Sequence, residues 1–228
     1  MDRTIFFDSV RETIFGGTLD QGQVDGCERI LAAFAGEHIE IQAYALATCY
    51  HETAHTMTPI TERGSKSYFD KYNAGTRIGK RLGNTQPGDG YKFRGRGDVQ
   101  ITGRRNYRVM GKRVGVDLLS NPDAALNPDL SSRLMYIGCM EGVYTGKRFT
   151  DYLPGDYINA RRVVNGTDRA LKIAGYAEKF EEALHQARTA HPVSAPPTVA
   201  RPTPPAAMPA FLRALGALLR GFLTRGPK

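Results

Sequence analysis

Cysteine is scarce in this chain. Three thiols, Cys27, Cys49 and Cys139, are spread through 228 residues, an odd number at wide spacing. That arrangement excludes a disulfide framework and a C-x-x-C metal pair, and two of the three fall in apolar helical patterns, as buried structural thiols do. No secretory leader is expected either. Met1-Asp2-Arg3-Thr4-Ile5-Phe6-Phe7-Asp8 has no charged start followed by an apolar core, so the chain is expected to accumulate in the cytosol and to need a separate pore protein if its target lies outside. Acidic residues are absent from the last part of the chain. Between Pro192 and Lys228 there are five basic residues (Arg201, Arg213, Arg220, Arg225, Lys228) and no acid, so more than half of the net charge of +8 sits there. Such an excess suits an anionic surface, a membrane or a bacterial envelope. No nucleic-acid recognition motif accompanies it, so nucleic acid is not expected as a partner.

The hydrophobic and charged contents, 41% and 24%, are those of an ordinary globular protein with one good core. Thr18-Leu19-Asp20-Gln21 reads as a capping box, and Val24, Cys27, Ile30, Leu31 and Phe34 follow at helical spacing. A second helix is expected from about Glu40 to Thr53. Its residues are apolar nearly all round, so it should be central and buried, with Thr58-Pro59 as its stop. Residues 63–98 interleave glycine, tyrosine, phenylalanine and lysine or arginine, which predicts functional loops and a short hairpin. Helices are expected again over 103–113 with Thr102 as N-cap, from Asn127-Pro128-Asp129 into 130–144, and over 156–164. Thr167-Asp168 is expected to cap a last helix running to about Ala190. The domain over 1–190 is therefore expected to be mainly α.

A proline-rich linker over 191–209 should follow, with seven prolines between Pro192 and Pro209. In the basic segment 210–228, Phe211, Leu212, Leu215, Leu218, Leu219, Phe222 and Leu223 form one stripe at helical spacing. Arg213 and Arg220 lie off it. This is the pattern of an amphipathic helix, too short and too charged to span a bilayer and suited to a membrane interface; docking back onto the domain is the other use of such a face.

The densest chemistry is His51-Glu52-Thr53-Ala54-His55. As H-E-x-x-H on a helix it would be a zinc-protease site, but a third ligand is wanting, since the only histidines after His55 are His185 and His191. Read as H-E-T, it supplies one carboxylate at the end of an apolar helix, and Glu62 supplies a second on another element. Two carboxylates across a cleft are what glycoside cleavage requires, one giving a proton to the leaving oxygen and one acting from the opposite face.

A third stretch, Phe93-Arg94-Gly95-Arg96-Gly97-Asp98-Val99-Gln100-Ile101-Thr102-Gly103-Arg104-Arg105-Asn106-Tyr107, resembles the G-R-G-x-x-Q-[IL]-[ST]-x-x-x-N-Y signature of glycoside hydrolase family 19, the chitinases and the related phage and bacterial endolysins. His51-Glu52-Thr53 is similar to that family's catalytic-acid motif, and Arg162-Val163-Val164-Asn165-Gly166 to its downstream I-N-G segment. The spacing from His51 to Glu62 is nearer to the endolysin branch. The resemblance implies a lysozyme-like fold, an inverting mechanism and no cofactor or metal. It makes Glu52 the general acid, Glu62 the general base and Thr102 a holder of the attacking water. Gln100, Asn106 and Asn165 would bind sugars, while Arg96 and Arg162 would brace carboxylates beside them. The expected role is a monomeric endolysin acting on peptidoglycan strands after release to the periplasm. A chitinase acting on N-acetylglucosamine polymers is the alternative, and a catalytically inactive wall-binding protein is a third reading.

Overall fold

The computed structural model describes residues 1–190, and these lie within one unit. The readings of 191–209 as linker and 210–228 as an amphipathic helix, with Phe211 to Leu223 as its membrane face, fall outside the described residues. Among the described residues, ten helices and one two-stranded pair follow in the order α1 (Arg3–Thr13), α2 (Gln21–Ala33), α3 (Ile39–Glu52), β1 (Ile60–Thr61), α4 (Arg77–Leu82), α5 (Asp89–Lys92), β2 (Arg96–Gly97), α6 (Arg104–Val114), α7 (Pro128–Met140), α8 (Tyr157–Ala160), α9 (Arg162–Asn165) and α10 (Ala170–Thr189). Short 3-10 turns fill Ser67–Tyr72, Pro122–Leu126 and Phe149–Asp151.

α3 is the axis of the core. From Ile41 to Tyr50 every residue is buried, Gln42 and Thr48 included. A helix apolar all round has no face to give to water and must be wrapped on all sides. α10 packs along it, with α1 laid against α10 and α2 bridging α3 and α7. An aromatic cluster closes the end nearest Glu52. Tyr50 meets Phe15, Tyr176 and Phe180 edge to face, and its hydroxyl donates to the Ile14 carbonyl at 3.0 Å. All three cysteines are buried and unpaired, and burial pushes each thiol well above its ordinary range, so none is poised to react.

Helix ends differ from the sequence reading in instructive ways. The capping box of α2 is formed by Asp20 with Gln23, two positions beyond the expected Thr18 pairing, because Asp20 Oδ1 accepts the Gln23 N–H while the Gln23 side chain returns to the Asp20 N–H. Thr102 does not cap α6: Gly103 does, with no side-chain bond, and Thr102 Oγ1 donates to the Gln100 carbonyl instead. Thr167-Asp168 does not cap α10, whose N-cap is Arg169 in the left-handed region. The 63–98 stretch holds more helix than its glycines suggest, since α4 and α5 are short enough for single glycines to end them: Gly83 caps α4 and Gly88 precedes α5, both at positive φ. The 156–164 helix is two pieces, α8 and α9, and α1 carries no strong sequence signal.

α3 also stops before Pro59. Thr53, fully buried, donates from Oγ1 to the Cys49 carbonyl at 2.7 Å and accepts the Met57 N–H at 3.0 Å. Ala54, His55 and Met57 then take positive φ. Non-glycine residues in that region carry strain, held here by the surrounding contacts. Gly26, in the middle of α2, leaves room for this turn: a β-carbon there would overlap the Met57 carbonyl and side chain. Helix propensity alone would have Gly26→Ala stabilise by about 1 kcal/mol. The overlap reverses the sign, and thermal unfolding of the variant should begin at a lower temperature than in the parent.

Candidate active site

Glu52 is the last residue of α3, its side chain 16% exposed, and it lines a cleft of about 670 Å³. Its Oε1 accepts a 2.6 Å hydrogen bond from Arg161 Nη1. Arg161, only 2% exposed, is fixed from the other side by donation from Nε to the Asp168 carbonyl. Glu62 follows β1 and enters the same cleft from a different element. β1 and β2 run antiparallel with Ile60 opposite Gly97 and Thr61 opposite Arg96. One step further, the Glu62 N–H donates to the Gly95 carbonyl at 2.8 Å, and the Gly95 N–H returns to Glu62 Oε2 at 3.1 Å. Gly95 has no room for a side chain, since a β-carbon would lie 2.7 Å from Gln100 Oε1 and 3.2 Å from Glu62 Cβ. Tyr72 completes the cradle by donating to Glu62 Oε1 at 3.2 Å. Burial first, and the Glu62 charge second, push the Tyr72 hydroxyl far above its ordinary range, so it remains a donor at any working pH.

The cleft therefore brings Glu52, Glu62, Gln100, Thr102, Asn106 and Asn165 together on one lining, with Ile78, Leu82, Val99 and Val164 as apolar surface between them. Gln100 sits at φ 54 and donates from Nε2 to the carbonyls of Ile60 and Gly97, both at 3.0 Å. It pins the Thr102 segment to the β pair. The Asn106 amide reaches back to the Thr102 carbonyl at 3.0 Å. Arg96 and Arg162 do not line the cleft. Arg96 is buried, gives Nε to Asp123 Oδ1 at 2.6 Å and also donates to the Tyr107 hydroxyl and the carbonyls of Lys92 and Arg94. Arg162 is exposed and bonds Asn159. The arginine that braces a carboxylate is the preceding one, Arg161. Two adjacent arginines at the joint of two one-turn helices offer no periodicity from which to choose between them.

The H-E-x-x-H geometry is not formed. α3 ends at Glu52, and His55 lies at φ 73, its ring stacked on Tyr50 at 4.3 Å between centroids. The two imidazoles are thus not on successive turns of one helix face, which is what a zinc site of that pattern requires. Burial lowers both histidines from the usual imidazole range, with Glu52 opposing the effect at His51.

Behind the cleft, Arg104 in α6 clamps Asp89 with two bonds of 2.7 and 2.6 Å, while Asp89 also accepts the Thr85 and Gln86 N–H groups. Burial alone would push the Asp89 carboxyl up. The Arg104 guanidinium and the two amides outweigh it and hold the group below its ordinary range. A lowered folded-state value gives stability that is full above the usual carboxylate range and is lost as pH falls through the folded value. The denaturation midpoint should therefore drop below about pH 4, and Asp89→Asn should lie lower at neutral pH but respond less to acid.

Residues 29–133 match the family model Glyco_hydro_19, described as chitinase class I. That segment contains Glu52, Glu62, Gln100, Thr102 and Asn106. A Haemophilus influenzae protein described as glycosyl hydrolase family 19 domain-containing is 46% identical over 65 residues, 27% of this chain and 32% of that protein. Chitinase 8 of Oryza sativa subsp. japonica is 33% identical over 89 residues, 39% of this chain and 31% of its own length. The chain spans about a third of the length of these curated relatives. Among solved structures, chitinase C from Streptomyces griseus HUT6037 aligns with a TM-score of 0.53 at 14% identity, over 82% of this chain and 76% of that one, a likeness of fold. Over residues 29–133 the chain is similar to glycoside hydrolase family 19, and its described residues share the mainly helical, lysozyme-like fold of the chitinase structure.

Proposed function

We propose that this chain is an endolysin, a glycoside hydrolase that cuts β-1,4 bonds of bacterial peptidoglycan by a one-step inverting reaction. The observation that carries the reading is the convergence of Glu52 and Glu62, from separate elements, on one open cleft whose other polar side chains suit a sugar polymer. Glu62, with Thr102 on the same cleft lining, takes a proton from water. The water oxygen bonds to the anomeric carbon as the bond to the leaving oxygen breaks, and the Glu52 proton passes to that oxygen. Arg161 holds Glu52 through Oε1 and leaves Oε2 without a hydrogen bond among the described residues, available to the glycosidic oxygen. Asn165 offers its whole amide group to the strand, while Gln100, whose amide nitrogen is held by the Ile60 and Gly97 carbonyls, offers its side-chain oxygen, as does Asn106, whose nitrogen bonds Thr102. The basic segment after residue 191 would act at an anionic membrane once the enzyme has reached the wall.

Purified sacculi and chitin digested side by side test this. Muropeptides carrying new reducing ends, with the α-anomer appearing first by NMR, are expected from sacculi. Turnover of chitin with none of sacculi would make the chain a chitinase, and a β-anomer would overturn the inverting step. Removal of residues 192–228 should leave sacculus hydrolysis near the parent rate and weaken lysis of intact cells; equal lysis would remove the membrane role.

A further inference from the structure

The cleft carries two positive charges that bond cleavage does not use. Arg81, in the last turn of α4, and Arg105, in the first turn of α6, both line it. Both are exposed, and neither makes an ion pair, hydrogen bond or ring contact among the described residues. The arginines around them behave differently. Arg104, next in sequence to Arg105, is clamped by Asp89, Arg96 is held by Asp123, and Arg161 by Glu52. Arginines that brace this fold are thus paired, and most of their surface is covered; the two on the cleft wall are not. Arg105 also stands at a cost. A cation in the first turn opposes the helix dipole by about 0.3–1 kcal/mol, and α6 has neither an acid in that turn nor a side-chain cap to offset it. Gly83, the left-handed residue ending α4, lies directly against Arg105, where a β-carbon would sit 2.6 Å from the Arg105 Cβ. The end of α4 and the start of α6 are therefore packed together, and each contributes one arginine to the cleft lining. The carboxylates on the lining are Glu52 and Glu62, and Arg161 already offsets the first.

We propose that Arg81 and Arg105 are specificity-determining residues that bind carboxylate groups on the substrate, so that the cleft selects a glycan with acidic substituents over a neutral N-acetylglucosamine polymer. The inference rests on the reading of the cleft as a glycan hydrolase site and names what that site prefers. A guanidinium fork matches a carboxylate with two parallel N–H bonds, and a substrate acid arriving there meets donors with no competing protein partner.

The test compares the parent with the double variant R81Q/R105Q on two preparations, native sacculi and the same sacculi with their carboxyl groups amidated by carbodiimide and ammonia. Amidation should raise the parent KM about tenfold with kcat within about twofold, the scale of lost charge-assisted contacts. The variant on native sacculi should show that raised KM and should not respond to amidation. Its binding of the neutral N-acetylglucosamine hexamer should equal the parent's. A variant KM equal to the parent's on native sacculi, a variant as sensitive to amidation as the parent, or hexamer binding lost in parallel would each overturn the proposal while leaving the hydrolase reading intact. A parent enzyme that releases no muropeptides from either preparation would bring down the wall-glycan reading and this inference with it.

Discussion

Glu52→Gln should lower kcat on sacculi by about 10³-fold or more, the range expected when a general acid is removed from a reaction whose leaving group is a sugar alkoxide. That loss is about 4 kcal/mol of transition-state stabilisation, and KM should change little because the amide keeps the shape of the side chain. The variant is not silent in stability. Arg161 is 2% exposed, and Glu52 is the carboxylate that faces it. The glutamine carbonyl can still accept from Nη1, but the charge is gone, which costs about 1–3 kcal/mol. For a domain of this size that is a fall in Tm of several degrees, at about 2–4 °C per kcal/mol. Rates should therefore be compared well below both transitions, with circular dichroism showing the fold intact. Activity within tenfold of the parent would remove Glu52 from the acid role, and with it the two-carboxylate reading of the cleft.

The parts of this molecule that sequence made legible are those where one local rule decides. α3 could be read to within a residue at its start because a helix apolar all round needs a complete wrapping, and Glu52 was placed at its end. α7 followed from Asn127-Pro128, whose cap is formed as expected by Asn127 Oδ1 accepting the Leu130 N–H. What sequence did not reveal depends on contacts between distant segments. Arg161 reaches Glu52 across 109 positions, Tyr72 meets Glu62 only because Ser67–Tyr72 folds back under β1, and Gly95 pairs with Glu62 through a two-residue sheet. Strands that short carry no alternation to detect. Thr102 shows how a local rule can mislead. A threonine before a helix is the ordinary signature of a cap, yet its hydroxyl is taken by the Gln100 carbonyl because Gln100 itself sits in the left-handed region. Arg81 belonged to the glycine-rich stretch read as functional loops and Arg105 to the family-like signature, and neither reading singled out the residue; their common place on the cleft lining does.

Arg29→Met should be the most destabilising single change among those considered, although Arg29 touches neither glutamate. Its guanidinium forms a two-bond pair with Asp98, 2.5 Å from Nη1 to Oδ2 and 3.0 Å from Nη2 to Oδ1, and it also donates to the carbonyls of Met57 and Pro128. Asp98 is fully buried, with the Cys49 thiol as its other neighbour at 3.7 Å. One side chain thus joins α2, the turn that ends α3, the start of α7 and the segment carrying Gln100 and Thr102. Removing the cation leaves a carboxylate buried without a counter-charge, a change that costs about 3–5 kcal/mol from a total that for most domains is about 5–15 kcal/mol. Urea denaturation should show that loss. The double variant R29M/D98N should recover part of it, because the uncompensated charge is removed along with its partner. A double variant less stable than R29M would mean that Asp98 matters for something other than this pair. Hydrogen exchange separates the local consequence from the global one: amides of 53–62 and 93–103 should lose protection in R29M before those of α3 and α10, since the Met57 and Asp98 anchors are what hold those two segments against the core. As they carry Glu62, Gln100 and Thr102, the variant should lose turnover at temperatures where its helices remain folded.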